Sequence, residues 1–159
     1  MSDPYFKLRP DQPTPPSEIC SCPGEPPILL FRTFGPNPLH CIVCNLEVPP
    51  DRLGFSEQLA SDIASWRSFY GAFDTLWLDS GEFEAWAVRH LTDPTGAVVT
   101  KGRAVVADLN KFRRTYLLWF QDASAEDYAP PTSCPVCGMP LAPRGRARVC
   151  DACAIGMYE

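Results

Sequence analysis

The eight cysteines of this 159-residue chain fall into two groups of four, and this grouping constrains the fold more than any other feature. The C-terminal group consists of two C-x-x-C pairs separated by twelve residues: Cys134, Cys137, Cys150 and Cys153. Two such pairs can direct four thiolates at one ion in a tetrahedron, and this spacing is typical of a zinc ribbon. Gly138 follows the first pair, where the backbone usually turns left-handed. The sequence therefore predicts a zinc site at this end of the chain.

The N-terminal group is less regular. It combines a C-x-C with a C-x-x-C, separated by eighteen residues: Cys20, Cys22, Cys41 and Cys44. Asn45 stands where a ribbon would place glycine, and asparagine tolerates a positive φ better than most residues. We expect a second all-cysteine site here, and so two Zn²⁺ ions per chain. The alternatives are His40 in place of one cysteine ligand, a disulfide pair, or unrelated free thiols.

The net charge and the hydropathy of the chain limit where the protein can be located and which partners it can bind. No segment resembles a signal peptide or is long enough to span a membrane, so we expect a cytoplasmic protein, in a compartment where disulfides are rare. The formal net charge is −5, and two four-thiolate Zn²⁺ centres would take it to about −9. Such an anionic protein suits a basic protein partner better than nucleic acid, whose non-specific binding depends on neutralised phosphates.

Two strands and a tail are predicted around the N-terminal cysteines. Residues 1–19 hold five prolines and should form an extended tail, with Tyr5, Phe6 and Leu8 as candidate anchors. Residues 28–34 read as a strand, and the apolar run over residues 116–120 reads as a buried strand that can pair with it.

Three helices are predicted in the middle of the chain. After Ser56, a plausible N-cap, apolar residues recur at steps of three and four: Leu59, Ile63, Trp66, Tyr70, Phe73 and Trp77. The D-S-G-E sequence at residues 79–82 has the form of a capping box and predicts that a second helix starts there. A third helix is expected over residues 100–114, with Phe112 pointing inward. We also expect five aromatic residues to be mostly buried and in mutual contact: Trp66, Phe73, Trp77, Trp86 and Trp119.

Together these elements predict an α+β fold, with a three-helix middle packed on a small β-sheet and zinc knuckles or a ribbon at both ends of the chain. The expected divisions are a Pro-rich extended tail (1–19), a zinc-knuckle plus helical core domain (20–123), a linker (124–133) and a C-terminal zinc ribbon (134–159).

Catalysis has little support in the sequence. A zinc ion held by four thiolates has no open coordination position for water, so such a site is structural. The chain has two histidines and no glycine-rich phosphate loop. Glu82 and Glu84 lie two positions apart, so on a helix they point in different directions and make a poor acid/base pair. We therefore expect a protein that is not an enzyme.

Two charged surfaces are candidate binding sites. Arg144, Arg146 and Arg148 alternate, which would place them on one face of a strand. There they could contact nucleic-acid phosphates or offset the negative charge of the adjacent zinc–thiolate centre. The second candidate is a set of acidic residues for a basic protein partner: Asp74, Asp79, Glu82, Glu84, Asp122, Glu126 and Asp127.

From Trp66 onward the chain resembles a group of bacterial zinc-ribbon proteins labelled as candidate nucleic-acid-binding proteins. The residues that carry this resemblance are L-W-L-D-S-G-E-F-E-A-W-A at 76–87, L-x-D-P at 91–94, G-R at 102–103, the aromatic run at 116–120, and the closing C-P-V-C-G and C-D-A-C. The two separated knuckles also resemble the double-CxxCG immunity proteins of myxobacteria, which protect a cell from a sibling's toxin. That resemblance implies an antitoxin role, with a basic toxin domain as partner; nucleic-acid binding is the alternative.

Overall fold

The computed structural model describes residues 3–124 and 126–159; residues 1 and 2 of the predicted tail and residue 125 of the predicted linker lie outside this description. Within the described ranges, three helices and a six-stranded sheet confirm the α+β fold, with one cysteine group towards each end of the chain. The strands are β1 (Ile28–Leu30), β2 (Leu39–Cys41), β3 (Thr115–Leu118), β4 (Ala142–Arg144), β5 (Ala147–Cys150) and β6 (Ile155–Tyr158). The helices are α1 (Glu57–Asp79), α2 (Glu84–Leu91) and α3 (Ala97–Leu109).

The sheet joins the two ends of the chain, in the order β2-β1-β3-β6-β5-β4. The predicted pairing between the strand after the helices and the first strand is confirmed, because β3 runs parallel to β1 with Leu29 opposite Tyr116. The crossover between these parallel strands contains the three helices, as parallel pairing requires a long connection. Since β6 adds parallel to β3, the C-terminal strands β4–β6 belong to the same sheet as β1 and β2.

The two edges of the sheet differ. Along β2, the following segment returns and donates from Val48 N to Leu39 O at 2.8 Å, so this edge is covered. The opposite edge, β4, is exposed along its length and has Pro143 at its centre.

The two faces of the sheet carry separate apolar clusters because side chains alternate along each strand. On one face, Ile28, Leu30 and Leu117 pack with residues of the helices. On the other face the buried residues are Leu29, Ile42, Tyr116, Ala147 and Val149. Ile42 follows β2 whereas Ala147 and Val149 lie in β5, so this second cluster brings the outer parts of the sheet together.

Helix α1 begins where the sequence predicts. The Ser56 hydroxyl accepts a hydrogen bond from Leu59 N at 3.2 Å and so caps the helix. Trp66 is buried between α1 and α3, and its indole N–H donates to Val98 O at 3.2 Å. A Cβ on Gly102 would lie 2.7 Å from the Trp66 Nε1, so α3 can approach α1 this closely only with glycine at that position.

The second helix starts later than the capping-box pattern predicts. Asp79 is the last residue of α1, and the Ser80 hydroxyl donates back to Leu76 O. Gly81 then takes a left-handed φ of 64°, and α2 begins at Glu84. The prediction failed because Asp79, which would have been the N-cap of the second helix, is instead the last residue of α1.

The third helix is shifted towards the N-terminus and ends at Leu109. Its end is fixed by the Asn110 side chain, which donates to Val106 O and Thr115 O at 2.8 and 3.0 Å and directs the chain into β3. Phe112 therefore lies beyond the helix and is 47% exposed, so the prediction that it points inward is wrong.

Residues 3–19 lie along the domain and include two short 3-10 turns, Phe6–Leu8 and Pro16–Glu18. Tyr5 and Leu8 are buried, and the Tyr5 hydroxyl donates to Phe55 O at 2.8 Å, whereas Phe6 is exposed. Among the helices of the described chain, none has the length and apolarity that a bilayer crossing needs.

Candidate metal centres

The C-terminal cysteines form one compact group of sulfur atoms. The Sγ atoms of Cys134, Cys137, Cys150 and Cys153 all lie within 4.8 Å of one another. The Sγ atoms of Cys137 and Cys150 are 3.6 Å apart. Four thiolates about 2.3 Å from a central Zn²⁺ would be about 3.8 Å from each other. The donor set therefore fits a tetrahedral metal ion, which would hold the ends of β5 and β6 to the loop before β4.

The N-terminal cysteines meet the same criterion. The Sγ atoms of Cys20, Cys22, Cys41 and Cys44 lie within 4.8 Å of one another. Within the described chain His40 does not belong to this group; its Nδ1 lies 2.9 Å from Asn45 O, so the ring contacts the backbone of the knuckle. All eight cysteines are free thiols in the described structure. Each group of four could thus hold one metal ion.

One C-x-x-C knuckle in each group has the same backbone geometry: the front knuckle (residues 41–45) and the first C-terminal knuckle (residues 134–138). Asn45 N donates to Cys41 O, and Gly138 N donates to Cys134 O, both at 2.8 Å. Asn45 and Gly138 take left-handed φ angles of 61° and 74°, as their positions predicted. In each knuckle the first cysteine's N–H also donates to the carbonyl of the residue after the left-handed one, at 2.9 and 2.8 Å. The irregular front group therefore contains a regular knuckle.

Burial and backbone amides act in opposite directions on the thiols. Burial raises the pKa of the Cys20 and Cys153 thiols to about 12. Cys137 is exposed and accepts a hydrogen bond from the Met139 amide, which lowers its pKa to about 7. Since a metal ligand must be a thiolate, a bound ion has to displace protons from the buried thiols.

The turn between β4 and β5 lies directly against the front knuckle, a contact that sequence reasoning missed. Arg146 N donates to Ile42 O at 2.8 Å, and Arg146 Nε donates to Val43 O at 3.2 Å. Gly145 has a φ of 61°, and a Cβ there would lie 2.5 Å from Ile42 O. Gly145 could have indicated a tight turn between the two arginines, but the sequence held no signal for the surface that this turn contacts.

This turn also separates the three arginines that were predicted to share one face. Arg144 is the last residue of β4, Arg146 lies in the turn, and Arg148 is in β5. Arg144 is paired with Ala147, and Arg148 with Pro143, so Arg144 and Arg148 lie on opposite faces. The prediction of a single arginine face is wrong because the hairpin reverses the chain within the alternating run.

Each of these arginines has a partner within the chain. Arg144 pairs with Asp151 at 3.1 Å and Arg148 pairs with Glu159 at 2.7 Å. Arg146 donates to the front knuckle as described above. The partners are therefore two carboxylates and the backbone of the front knuckle.

The structure divides the acidic candidates. Asp74 forms an ion pair with Arg32 at 3.1 Å, and its side chain is only 13% exposed. Burial raises the pKa of Asp74, and the Arg32 charge opposes that shift. Glu84 and Asp122 line one open cavity of about 360 Å³ together with Trp77. The remaining candidates are exposed: Asp79, Glu82, Glu126 and Asp127.

The prediction that the aromatic residues form one buried set is only partly correct. Trp66 and Trp119 are buried, and Trp77 is half-buried against Phe120. Trp86, however, is 39% exposed, so its predicted burial is wrong. Helix α2 has only eight residues and buries Ala87 and Leu91, which leaves Trp86 at the rim of the helical layer.

Trp86 belongs to an aromatic surface that we call the α2 patch, made of Phe73, Phe83, Trp86 and His90. The rings of Trp86 and Phe73 stack at 5.5 Å with an interplanar angle of 14°, and the Trp86 and His90 rings are 4.2 Å apart. Phe83, just before α2, is 48% exposed between the exposed carboxylates of Glu82 and Glu84. An exposed aromatic surface is therefore present at the α1–α2 corner, and exposed carboxylates flank Phe83 in the sequence.

No family model, curated protein or solved structure matches the chain. The fold and the two centres define its class as an α+β protein with two four-cysteine groups, each of which could hold a metal ion.

Proposed function

We propose that this chain is a non-enzymatic zinc protein that binds a basic protein partner through the α2 patch and the carboxylates beside it. The observation that carries this proposal is the exposure of Trp86 and Phe83, together with the exposed carboxylates of Glu82 and Glu84 that flank Phe83 in the sequence. Tryptophan is enriched among the residues that dominate binding energy, and exposed apolar patches rimmed by polar residues mark interaction sites. The carboxylates favour a partner of positive charge.

Zinc is the metal that we assign to both centres. Four thiolates are a soft, tetrahedral donor set, which suits Zn²⁺ and leaves no position for substrate or water. Its role is then to hold the two ends of the chain in one sheet.

A protein partner fits the charges better than nucleic acid does. Arg144, Arg146 and Arg148 all have partners within the chain, and the holo protein would carry a net charge of about −9. Phosphate contacts require free cationic groups arranged along one surface.

The partner that we propose is a bacterial toxin domain with a basic cleft, neutralised in the cytoplasm in the manner of an immunity protein or antitoxin. The layout of two cysteine knuckles, which resembles that of the double-CxxCG immunity proteins, supports this role. The negative charge of an acidic, aromatic surface can speed its association with a basic cleft, and the aromatic side chains can then occupy that cleft.

The test is co-expression with candidate toxin domains from the native host, with cell growth and the affinity of the purified pair as readouts. We expect rescue of growth by the native chain, and loss of rescue with Trp86→Ala or with Glu82→Lys/Glu84→Lys. The matched control is Asp11→Lys/Glu57→Lys, which reverses two exposed carboxylates. Glu57 lies about 33 Å from Asp79 along α1, so the control should retain rescue.

A filter-binding assay with mixed single- and double-stranded DNA and RNA at low salt tests the alternative. Micromolar binding that Arg144→Ala/Arg146→Ala/Arg148→Ala abolishes would contradict the proposal and favour a nucleic-acid partner. Equal rescue by the patch variants and the native chain would exclude the α2 patch as the binding surface.

A further inference from the structure

Three hydrogen bonds join the C-terminal strands to the front knuckle. Two come from the β4–β5 turn, from Arg146 N and Nε to Ile42 O and Val43 O. The third comes from β6, where the Tyr158 hydroxyl donates to Asn45 Oδ1 at 2.6 Å. We propose that the two metal centres are energetically coupled through this contact, so that an ion at one centre raises the affinity of the other. This inference depends on metal binding but not on the proposed partner.

The residues that donate these hydrogen bonds, Arg146 and Tyr158, are held in place by the C-terminal centre. Two of its ligands, Cys150 and Cys153, stand at the connection between β5 and β6, where Cys150 is paired with Ile155. The other two lie in the loop before β4, which is closed by a bridge between Ser133 and Pro140. These strands have three or four residues each, and such short strands are marginal without further support. An ion that ties both loops together therefore orders the hairpin that carries Arg146 and the strand that carries Tyr158.

The groups that accept these hydrogen bonds lie within the front knuckle itself. Ile42 and Val43 are the two residues between the ligands Cys41 and Cys44, and Asn45 is the left-handed residue that closes the knuckle. Hydrogen bonds to these groups restrict the loop that sets the spacing of the two thiols. Ordering the loop in advance lowers the conformational entropy that metal binding must otherwise remove.

The β4–β5 turn and the front knuckle are closely packed against each other. A Cβ on Gly145 would lie 2.5 Å from Ile42 O, and Ile42 is buried in the cluster that contains Ala147 and Val149 of β5. Because the hairpin packs on the knuckle through both backbone and apolar side chains, disorder in one disturbs the other. Linkage requires the effect to be reciprocal, and couplings of this kind commonly reach about tenfold in affinity.

The test measures a coupling factor from three chains: the native chain, Cys134→Ser/Cys137→Ser with only the front centre, and Cys20→Ser/Cys22→Ser with only the C-terminal centre. Zn²⁺ affinities come from competition with a chromogenic chelator, and Co²⁺ absorption reports thiolate coordination at each centre. The coupling factor is the product of the two single-centre dissociation constants divided by the product for the native chain. We expect a factor of about ten.

The same three chains are then made with Arg146→Ala/Tyr158→Phe, which removes two side-chain hydrogen bonds to the knuckle without changing a ligand. We expect the factor to fall in this background, since only the backbone bond from Arg146 N and the apolar contacts of Ile42 remain. The matched control is Arg67→Ala/Tyr5→Phe, since Arg67 donates to Gly35 O and Tyr5 donates to Phe55 O, both away from the knuckle; this control should retain the factor of about ten. A factor near one in the native background, or an undiminished factor in Arg146→Ala/Tyr158→Phe, would overturn the proposal.

If a single-centre chain does not fold, metal release by chelator from chains with all eight cysteines gives the answer. We expect both ions to leave the native chain in one cooperative step, and to leave Arg146→Ala/Tyr158→Phe in two. Two independent steps in the native chain would refute the coupling while leaving the zinc assignment intact. A chain that binds no metal would refute both.

Discussion

The Tyr158 hydroxyl donates a hydrogen bond to the Asn45 side-chain oxygen at 2.6 Å, across 113 residues of sequence. Asn45 is thereby fixed in two ways, since its backbone closes the front knuckle with a left-handed φ while its amide contacts β6. Glycine would satisfy the first requirement but not the second, which explains why asparagine can occupy a position that favours glycine.

Metal analysis of protein purified without chelator should find two zinc ions per chain. Cys134→Ser should lose one ion and loosen the C-terminal hairpin. Cys41→Ser should reduce stability more, because Cys41 ends β2 and is paired with Ile28 in the sheet. Inductively coupled plasma mass spectrometry and thermal unfolding measure both effects. A single ion per native chain would exclude metal binding at the front centre, and no ion would exclude metal binding at both centres.

Gly138→Ala should lower the free energy of unfolding by about 1–2 kcal/mol, because a residue with a Cβ is disfavoured at a left-handed φ. The cause would be conformational, since no atom lies within 4 Å of the added Cβ. Gly35→Ala is the control, because Gly35 also has space for a Cβ but its φ is not left-handed. Denaturant titration of both holo proteins compares them. An equal effect of the two substitutions would mean that the knuckle does not require a left-handed residue.

Trp66→Ala and Trp86→Ala should differ in their effect on folding. Trp66 is buried beneath α3 and donates to Val98 O, so its loss should destabilise the chain by about 3–5 kcal/mol. Trp86 is partly exposed, and we expect its truncation to cost about 1 kcal/mol. Urea unfolding of the two variants without partner provides the comparison. A large loss for Trp86→Ala would give that side chain a structural role and weaken its assignment to a binding surface.

Zinc binding should release at least two protons per ion at pH 7, since each metal-free centre has two thiols whose pKa is raised: Cys20 and Cys22 in one, Cys134 and Cys153 in the other. Burial holds the pKa of Cys20 and Cys153 near 12, whereas the Met139 amide lowers the pKa of Cys137 to about 7. Affinity should therefore rise from pH 6 to pH 8, as protons compete less for the thiolates. Calorimetry in buffers of different ionisation enthalpy counts the protons. A pH-independent affinity over this range would contradict thiolate ligation.

Local patterns were sufficient to predict the cysteine groups, the start of α1 and the pairing of β1 with β3. They failed where a distant contact decided the outcome. The alternation of Arg144, Arg146 and Arg148 is a valid strand pattern, but the turn at Gly145 is positioned by its packing on Ile42. Trp86 fits a helical apolar face, yet α2 is too short to cover it. Helix periodicity identifies the face that a residue occupies, whereas burial depends on what the rest of the chain places over that face.

Pro143 at the centre of the exposed edge strand β4 determines how another protein can approach this one. Proline has no backbone N–H, so an incoming strand would lack a donor at the middle of the only three residues available to it. The opposite edge is already bonded to the segment that contains Val48. The sheet therefore cannot readily be extended by a second chain, which protects it from edge-to-edge aggregation.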